Sequence, residues 1–179
     1  MNAIETNLKD AYIITNKKFE DGRGFFMEVF KLNEFEKITA CVSNFVQDNH
    51  SKSSKGVLRG LHYQIEHAQG KLVRCISGAV FDVIVDLRKS SPSFGKWFGI
   101  KLFENNLQLW VPPGFAHGFY TLTETAEIVY KTTEYYYPEY DRTLIWNDND
   151  LKIDWGVNDP ILSQKDLNGK TFEECEKYE

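Results

Sequence analysis

Arg59, His62, Lys71 and His117 stand in stretches that otherwise read as apolar strands: Val57-Leu58-Arg59-Gly60-Leu61-His62-Tyr63-Gln64, Lys71-Leu72-Val73-Arg74, and Leu109-Trp110-Val111-Pro112-Pro113-Gly114-Phe115-Ala116-His117-Gly118-Phe119. A buried strand face normally excludes such side chains, so their recurrence in one chain predicts a polar cavity between sheets. A cavity of that kind is a binding site by default. Histidine exchanges protons near neutrality, and Arg and Lys recognise phosphate. Arg59, Lys71 and Arg74 are candidates for a local basic pocket that takes a phosphorylated small molecule, and a histidine in such a pocket is a candidate base. Taken singly, each has an ordinary explanation: a strand histidine is usually packed or at the surface, and Lys71 beside Gly70 reads as a solvated strand start.

The elements that must hold these residues are short β-patterned segments. They cover Ala11 to Asn16, Gly24 to Phe30, Cys41 to Gln47, Val57 to Gln64, Lys71 to Ile76, Ala79 to Leu87, Trp97 to Leu102, Leu107 to Val111, Phe115 to Thr121 and Glu127 to Tyr136, with turns at Asp21-Gly22-Arg23-Gly24, Pro92-Ser93-Phe94-Gly95 and Asn147-Asp148-Asn149-Asp150. Helix is expected only at Lys31 to Thr39 and Thr171 to Tyr178. This spacing predicts an all-β antiparallel sandwich or jelly roll with a few short peripheral helices.

Side chains two apart on a strand share a face. Leu58, Gly60, His62 and Gln64 then lie together, and Arg59 reaches the pocket of His62 only if the strand is bulged, which Gly60 would allow. By the same alternation Ile128, Tyr130, Thr132, Glu134 and Tyr136 share a face. Asp82 and Asp86 lie opposite Phe81, Val83, Val85 and Leu87, so their face meets water, a polar cavity or a partner.

The chain has 179 residues, 42% hydrophobic and 15% aromatic, enough for one substantial core, and it reads as one domain over residues 1–179. A formal net charge of -5 argues against nucleic acid as a partner. Cys41, Cys75 and Cys175 are widely spaced and odd in number, the pattern of reduced, incidental thiols. No basic-then-apolar start and no long apolar run are visible, because Asp82 and Asp86 interrupt Ala79 to Leu87, so a cytoplasmic protein without membrane attachment is expected.

The runs Asp21-Gly22-Arg23-Gly24-Phe25-Phe26-Met27-Glu28, Phe45-Val46-Gln47-Asp48-Asn49-His50-Ser51, Arg59-Gly60-Leu61-His62, Gly70-Lys71-Leu72-Val73-Arg74 and Pro113-Gly114-Phe115-Ala116-His117-Gly118-Phe119 closely resemble the dTDP-4-dehydrorhamnose 3,5-epimerase family. Tyr130-Lys131 and Leu162-Ser163-Gln164-Lys165-Asp166 extend the resemblance, which runs from about Phe19 to Asp166. It implies a cupin-type jelly roll acting as a homodimer. The implied reaction inverts C3 and C5 of dTDP-4-dehydro-6-deoxy-D-glucose without a cofactor, giving dTDP-4-dehydro-L-rhamnose.

By the same resemblance His62 is the base, Asp166 orients its imidazole, Tyr130 is the acid on the other face of the sugar, and Lys71 stabilises the enolate, with His117 a second donor. These types suit those roles, since a proton beside a ketone needs a base within reach and positive or donor groups where the enolate oxygen forms. Without the resemblance Tyr130 would read as a core aromatic and Asp166 as a loop carboxylate or helix cap. Arg23, Gln47, Asn49 and Arg59 match the family's polar nucleotide contacts, and Phe119 joins the binding set. Phe26, Glu28 and Tyr136 match residues near the base, with Arg23, Phe26 and Glu28 arriving from the partner subunit. Asp141-Arg142 departs from the family's usual Glu-Gly, which bears on nucleotide contacts or loop shape. Many cupins bind a metal through paired histidines, but His62-Tyr63-Gln64 lacks the second one, so no metal is expected. The alternatives are a C3-only epimerase, a sugar-nucleotide-binding jelly roll without catalysis, and a metal-dependent cupin, which the missing ligand pair opposes.

Overall fold

The computed structural model describes residues 1–41, 44–104 and 106–179. Among them the strands are β1 (Asn2–Glu5), β2 (Tyr12–Thr15), β3 (Lys18–Asp21), β4 (Gly24–Met27), β5 (Gln47–Ser54), β6 (Leu58–Gln64), β7 (Lys71–Ser77), β8 (Ala79–Asp86), β9 (Trp97–Phe103), β10 (Leu107–Val111), β11 (Phe115–Thr121), β12 (Thr125–Thr132) and β13 (Asp141–Thr143); helices α1 (Leu32–Thr39) and α2 (Gln164–Leu167) are short. Two sheets are formed, in the orders β1-β2-β10-β7-β12-β5 and β13-β6-β11-β8-β9, and β3 with β4 makes a separate hairpin. All these strand pairings are antiparallel, as in a cupin-type jelly roll.

The alternation along β7 explains how the six-stranded sheet is buried on both sides. Val73 and Cys75 point into the core between the sheets, with Ile84, Phe115 and Ile128, whereas Leu72 packs on the outer side with Trp110 and Phe35. Phe35 of α1 meets the Trp110 ring edge-on at 4.9 Å, so the amphipathic α1 lies over that outer face. The five-stranded sheet is covered likewise: Val83, Val85 and Leu87 lie under Leu144, Leu151, Trp155 and Tyr178 of the C-terminal segment. A strand buried on both faces is apolar on both, and Ala79–Asp86 is so apart from Asp82 and Asp86.

Three expected elements differ. The segment from Cys41 to Gln47 is not a strand in its described part, and Val42 and Ser43 lie outside the described residues; the strand begins at Gln47 and runs to Ser54 through polar residues, because β5 is a sheet edge. The strand expected at Glu127 to Tyr136 stops at Thr132, so Glu134 and Tyr136 do not share the strand face of Tyr130. Residues Thr171 to Tyr178 form turns rather than a helix, since Tyr178 pairs its backbone with Leu87 and Lys89 at the sheet end. The short helix nearby is α2, capped by Ser163, whose Oγ accepts from the Asp166 N–H. No described helix is long and apolar enough to cross a membrane.

Candidate active site

The bulge expected at Gly60 is present, and it builds the site. On β6 against β11, Arg59 faces Phe119 and His62 faces His117, so three steps on one strand match two on the other. Gly60 has φ +118°, and a Cβ there would lie 2.6 Å from Gly118 Cα and 2.7 Å from His117 O. Only glycine lets the two backbones approach so closely while Arg59 and His62 turn to one side.

Between the sheets lies a cleft of about 250 Å³ whose walls include Arg59, His62, Lys71, His117, Phe119, Tyr130 and Tyr136. The five-stranded sheet contributes His62 and His117, and the six-stranded sheet contributes Lys71 and Tyr130, so the expected base and acid stand on opposite walls. A larger hollow of about 370 Å³ beside residues 5–12 contains none of the expected site residues. The cleft is the candidate because its titratable groups converge, not because of its size.

His62 Nε2 is 2.6 Å from Asp166 Oδ1. Burial would push the Asp166 carboxyl up, but donors from His62, from Ser163 Oγ at 2.6 Å and from Gly60 N–H at 3.2 Å outweigh it and hold it below the ordinary carboxylate value. The carboxylate is thus an acceptor, Nε2 carries the ring proton, and Nδ1 is the nitrogen left to take another. Burial draws the His62 imidazole below its ordinary value, with Lys165 and Lys71 acting the same way and Asp166 opposing. A neutral imidazole ready to accept a proton follows.

Lys71 opens β7 with its side chain buried, donating from Nζ to His62 O at 3.2 Å. Burial lowers its ammonium to about 8, against the attraction of Asp141 and Asp82. A cation held in a dry wall is well suited to an oxygen that becomes anionic. Burial raises the Tyr130 phenol, which keeps it protonated and able to donate, while Arg59 pulls the other way. His117 Nε2 lies 3.0 and 3.1 Å from the two oxygens of Asp82, a carboxylate with 0% exposure. Of the two carboxylates expected on one face of β8, Asp82 therefore turns inward behind His117 in the cleft wall, while Asp86, also buried, pairs with Arg88 at 2.8 Å and accepts from Ser91 and Ser93.

The rest of the expected set divides. Arg59 sends Nε to Ser53 Oγ at 2.9 Å on β5. On the same strand Gln47 Nε2 donates to Asn49 Oδ1 at 3.0 Å, and Gln47 Oε1 accepts from the Tyr136 N–H at 3.1 Å, so Gln47 and Asn49 stand beside the Tyr136 wall. Arg23, Phe26 and Glu28 do not line the cleft. Arg23, 91% exposed, pairs with Asp21 at 2.6 Å in the hairpin turn, Phe26 is 65% exposed, and Glu28 pairs with Lys31 at 3.0 Å.

Several lining residues escaped the sequence reading. Asp141 Oδ2 accepts from Tyr136 Oη at 2.9 Å and from Lys165 Nζ, and both Asp141 and Lys165 face the cleft. Lys165 directly precedes Asp166 in a quoted motif, which was the available signal. Ser51 also lines the cleft, with its buried Oγ unpartnered among the described residues. Alternation from Gln47 and Asn49 along β5 leads to it.

A histidine–aspartate pair facing a tyrosine across the cleft of a cupin-type sandwich, with a buried lysine in its wall, is an arrangement suited to moving protons, as an isomerase does. The profile of the dTDP-4-dehydrorhamnose 3,5-epimerase family matches residues 5–174. A Shigella flexneri protein named dTDP-4-dehydrorhamnose 3,5-epimerase is 54% identical over 180 residues, covering 99% of each chain. Among solved structures, dTDP-4-dehydrorhamnose 3,5-epimerase from Elizabethkingia anophelis superposes with a TM-score of 0.93 at 51% identity over 97% of each chain. The dTDP-6-deoxy-D-glucose-3,5-epimerase of Legionella pneumophila, solved in complex with dTDP-4-keto-L-rhamnose, superposes with a TM-score of 0.94 at 46% identity over 98% of this chain and 94% of that one. The chain belongs to the dTDP-4-dehydrorhamnose 3,5-epimerase family.

Proposed function

We propose that the cleft inverts C3 and C5 of dTDP-4-dehydro-6-deoxy-D-glucose, giving dTDP-4-dehydro-L-rhamnose, with His62 as base and Tyr130 as acid. The single observation that carries this reading is the His62–Asp166 pair on the wall opposite Tyr130, with Lys71 beside it. His62 Nδ1 takes the proton from carbon, and the bonding pair moves to make the C4 carbonyl an enolate. The Lys71 ammonium stabilises that oxygen. Tyr130 Oη returns a proton to the opposite face of the same carbon, and exchange with water resets both groups. Arg59 fits the pyrophosphate, and Tyr136, Gln47 and Asn49 fit the nucleotide end, with His117 and Phe119 completing the wall.

The exposed hairpin fits a homodimer in which Arg23, Phe26 and Glu28 complete a second copy's site, because Phe19, Phe25 and Phe26 are each at least half exposed. Sedimentation of the purified protein tests that assembly, and a monomer at working concentration would refute it.

Turnover in deuterium oxide tests the reaction. Deuterium at both C3 and C5 of the recovered sugar nucleotide is the expected result, label at C3 alone would make the chain a C3 epimerase, and no label would leave a binding protein. In Tyr130→Phe the product should vanish while dTDP binding persists; unchanged turnover would remove Tyr130 from its role.

A further inference from the structure

Tyr136 stands four residues beyond the end of β12, so no strand ladder holds it. Its neighbours are held instead by one side chain from the opposite sheet. Gln64, the last residue of β6, accepts at Oε1 from the Tyr137 N–H at 2.7 Å and donates from Nε2 to Tyr135 O at 3.1 Å and to His67 O at 2.9 Å. The amide is 97% buried, since only 3% of the residue is exposed, and it makes both kinds of hydrogen bond that an amide offers. Tyr136 itself is then fixed at two further points, through its N–H to Gln47 Oε1 and through Oη to Asp141 Oδ2. Asp141 is also the register partner of Gln64 across β13 and β6. The backbone on each side of Tyr136, and the carboxylate that receives its hydroxyl, are thus all referenced to one position.

We propose that Gln64 is the positioning residue for Tyr136 and, through it, sets affinity for the nucleotide half of the substrate. The inference rests on the reading of Tyr136 as a nucleotide contact. Gln64 makes no demand on the proton transfers at His62 and Tyr130, so its effect falls on binding rather than on the chemical step. A buried amide flanked by two carbonyls and an N–H cannot be replaced by a carboxylate, which has acceptors only and would meet both carbonyls with like polarity.

The test compares Gln64→Glu, Tyr136→Ala and the double variant by calorimetric titration with dTDP and by steady-state kinetics with the 4-keto sugar nucleotide. Each single change should weaken dTDP binding about tenfold, the equivalent of one hydrogen-bonded contact. The double variant should be no more than about twofold weaker than Tyr136→Ala alone, because both remove one interaction. KM should rise in parallel while kcat stays within about threefold. If Gln64→Glu does not fold, Gln64→Met removes the same three bonds without burying a charge and should give the same pattern. Additive losses, or a loss confined to kcat, would overturn the assignment of Gln64. Unaltered dTDP binding by Tyr136→Ala would instead overturn the Tyr136 contact on which it rests.

Discussion

Two histidine–carboxylate pairs stand side by side on one wall of the cleft, and they are built differently. His62 and His117 are direct partners on β6 and β11. Asp166, behind His62, sits at the start of a short helix and also receives donors from Ser163 and Gly60. Asp82, behind His117, sits in the middle of β8 with 0% exposure and, among the described residues, bonds to His117 alone. A base must gain and lose a proton, so the carboxylate behind it must be satisfied in both states. Extra donors give Asp166 that independence. Asp82 depends on its histidine, so that pair serves to hold one ring orientation. On the proposed reading, the same two residue types make a base in one place and a fixed wall in the other.

That contrast is sharpest at His62. His62→Ala should lower turnover and carbon-bound deuterium incorporation by about 10³-fold, within the range of one general base, while dTDP binding stays within about twofold. Incorporation at the wild-type rate would put the base elsewhere. Asp166→Asn comes next, with kcat down about 10²-fold because the imidazolium loses its counter-charge, and with unfolding by urea little changed. A large stability loss with normal kcat would invert the comparison.

The pH profile separates the cation from the base. His62 must be neutral, and its value is lowered, so the acid limb of kcat/KM should fall below the ordinary imidazole range. Lys71 must be charged and titrates at about 8, so activity should decline as pH rises through 8, by about tenfold per unit beyond it. Lys71→Arg, charged at all working pH, should remove the basic limb even if its maximum rate is lower. A basic limb that stays in place would point to another group.

The smallest kinetic effect is expected at the second pair. Asp82→Asn should change kcat only a few-fold while costing about 1–3 kcal/mol in urea unfolding, since the buried pair loses its charge-assisted hydrogen bond. If it instead abolished turnover without touching stability, His117–Asp82 would join the proton-transfer machinery.

Much of this was legible in the sequence because it depends on local rules. Glycine at position 60 announced the bulge that brings Arg59 beside His62, although that bulge also moves Leu58 off the face shared with His62 and Gln64 and packs it with Leu61 and Val83 on the other side; the turn at Asp21-Gly22-Arg23-Gly24 opened a hairpin as expected. The link from Asp166 to His62, more than a hundred residues apart, came from the family resemblance alone and from no local rule. Where β12 would end was not legible, since Tyr135, Tyr136 and Tyr137 favour a strand as strongly as the residues before them. Hydrogen bonds from Gln64 and Gln47 decide that the backbone leaves the sheet there.

The sequence by itself determined an all-β chain with a polar interior, because side-chain period and turn chemistry are written residue by residue. Only the tertiary structure decided that Asp82 turns inward behind His117, and that Asp141 and Lys165 close the wall. Those partners come from strands and loops distant in sequence, and their contacts depend on sheet order and register, which no local pattern specifies.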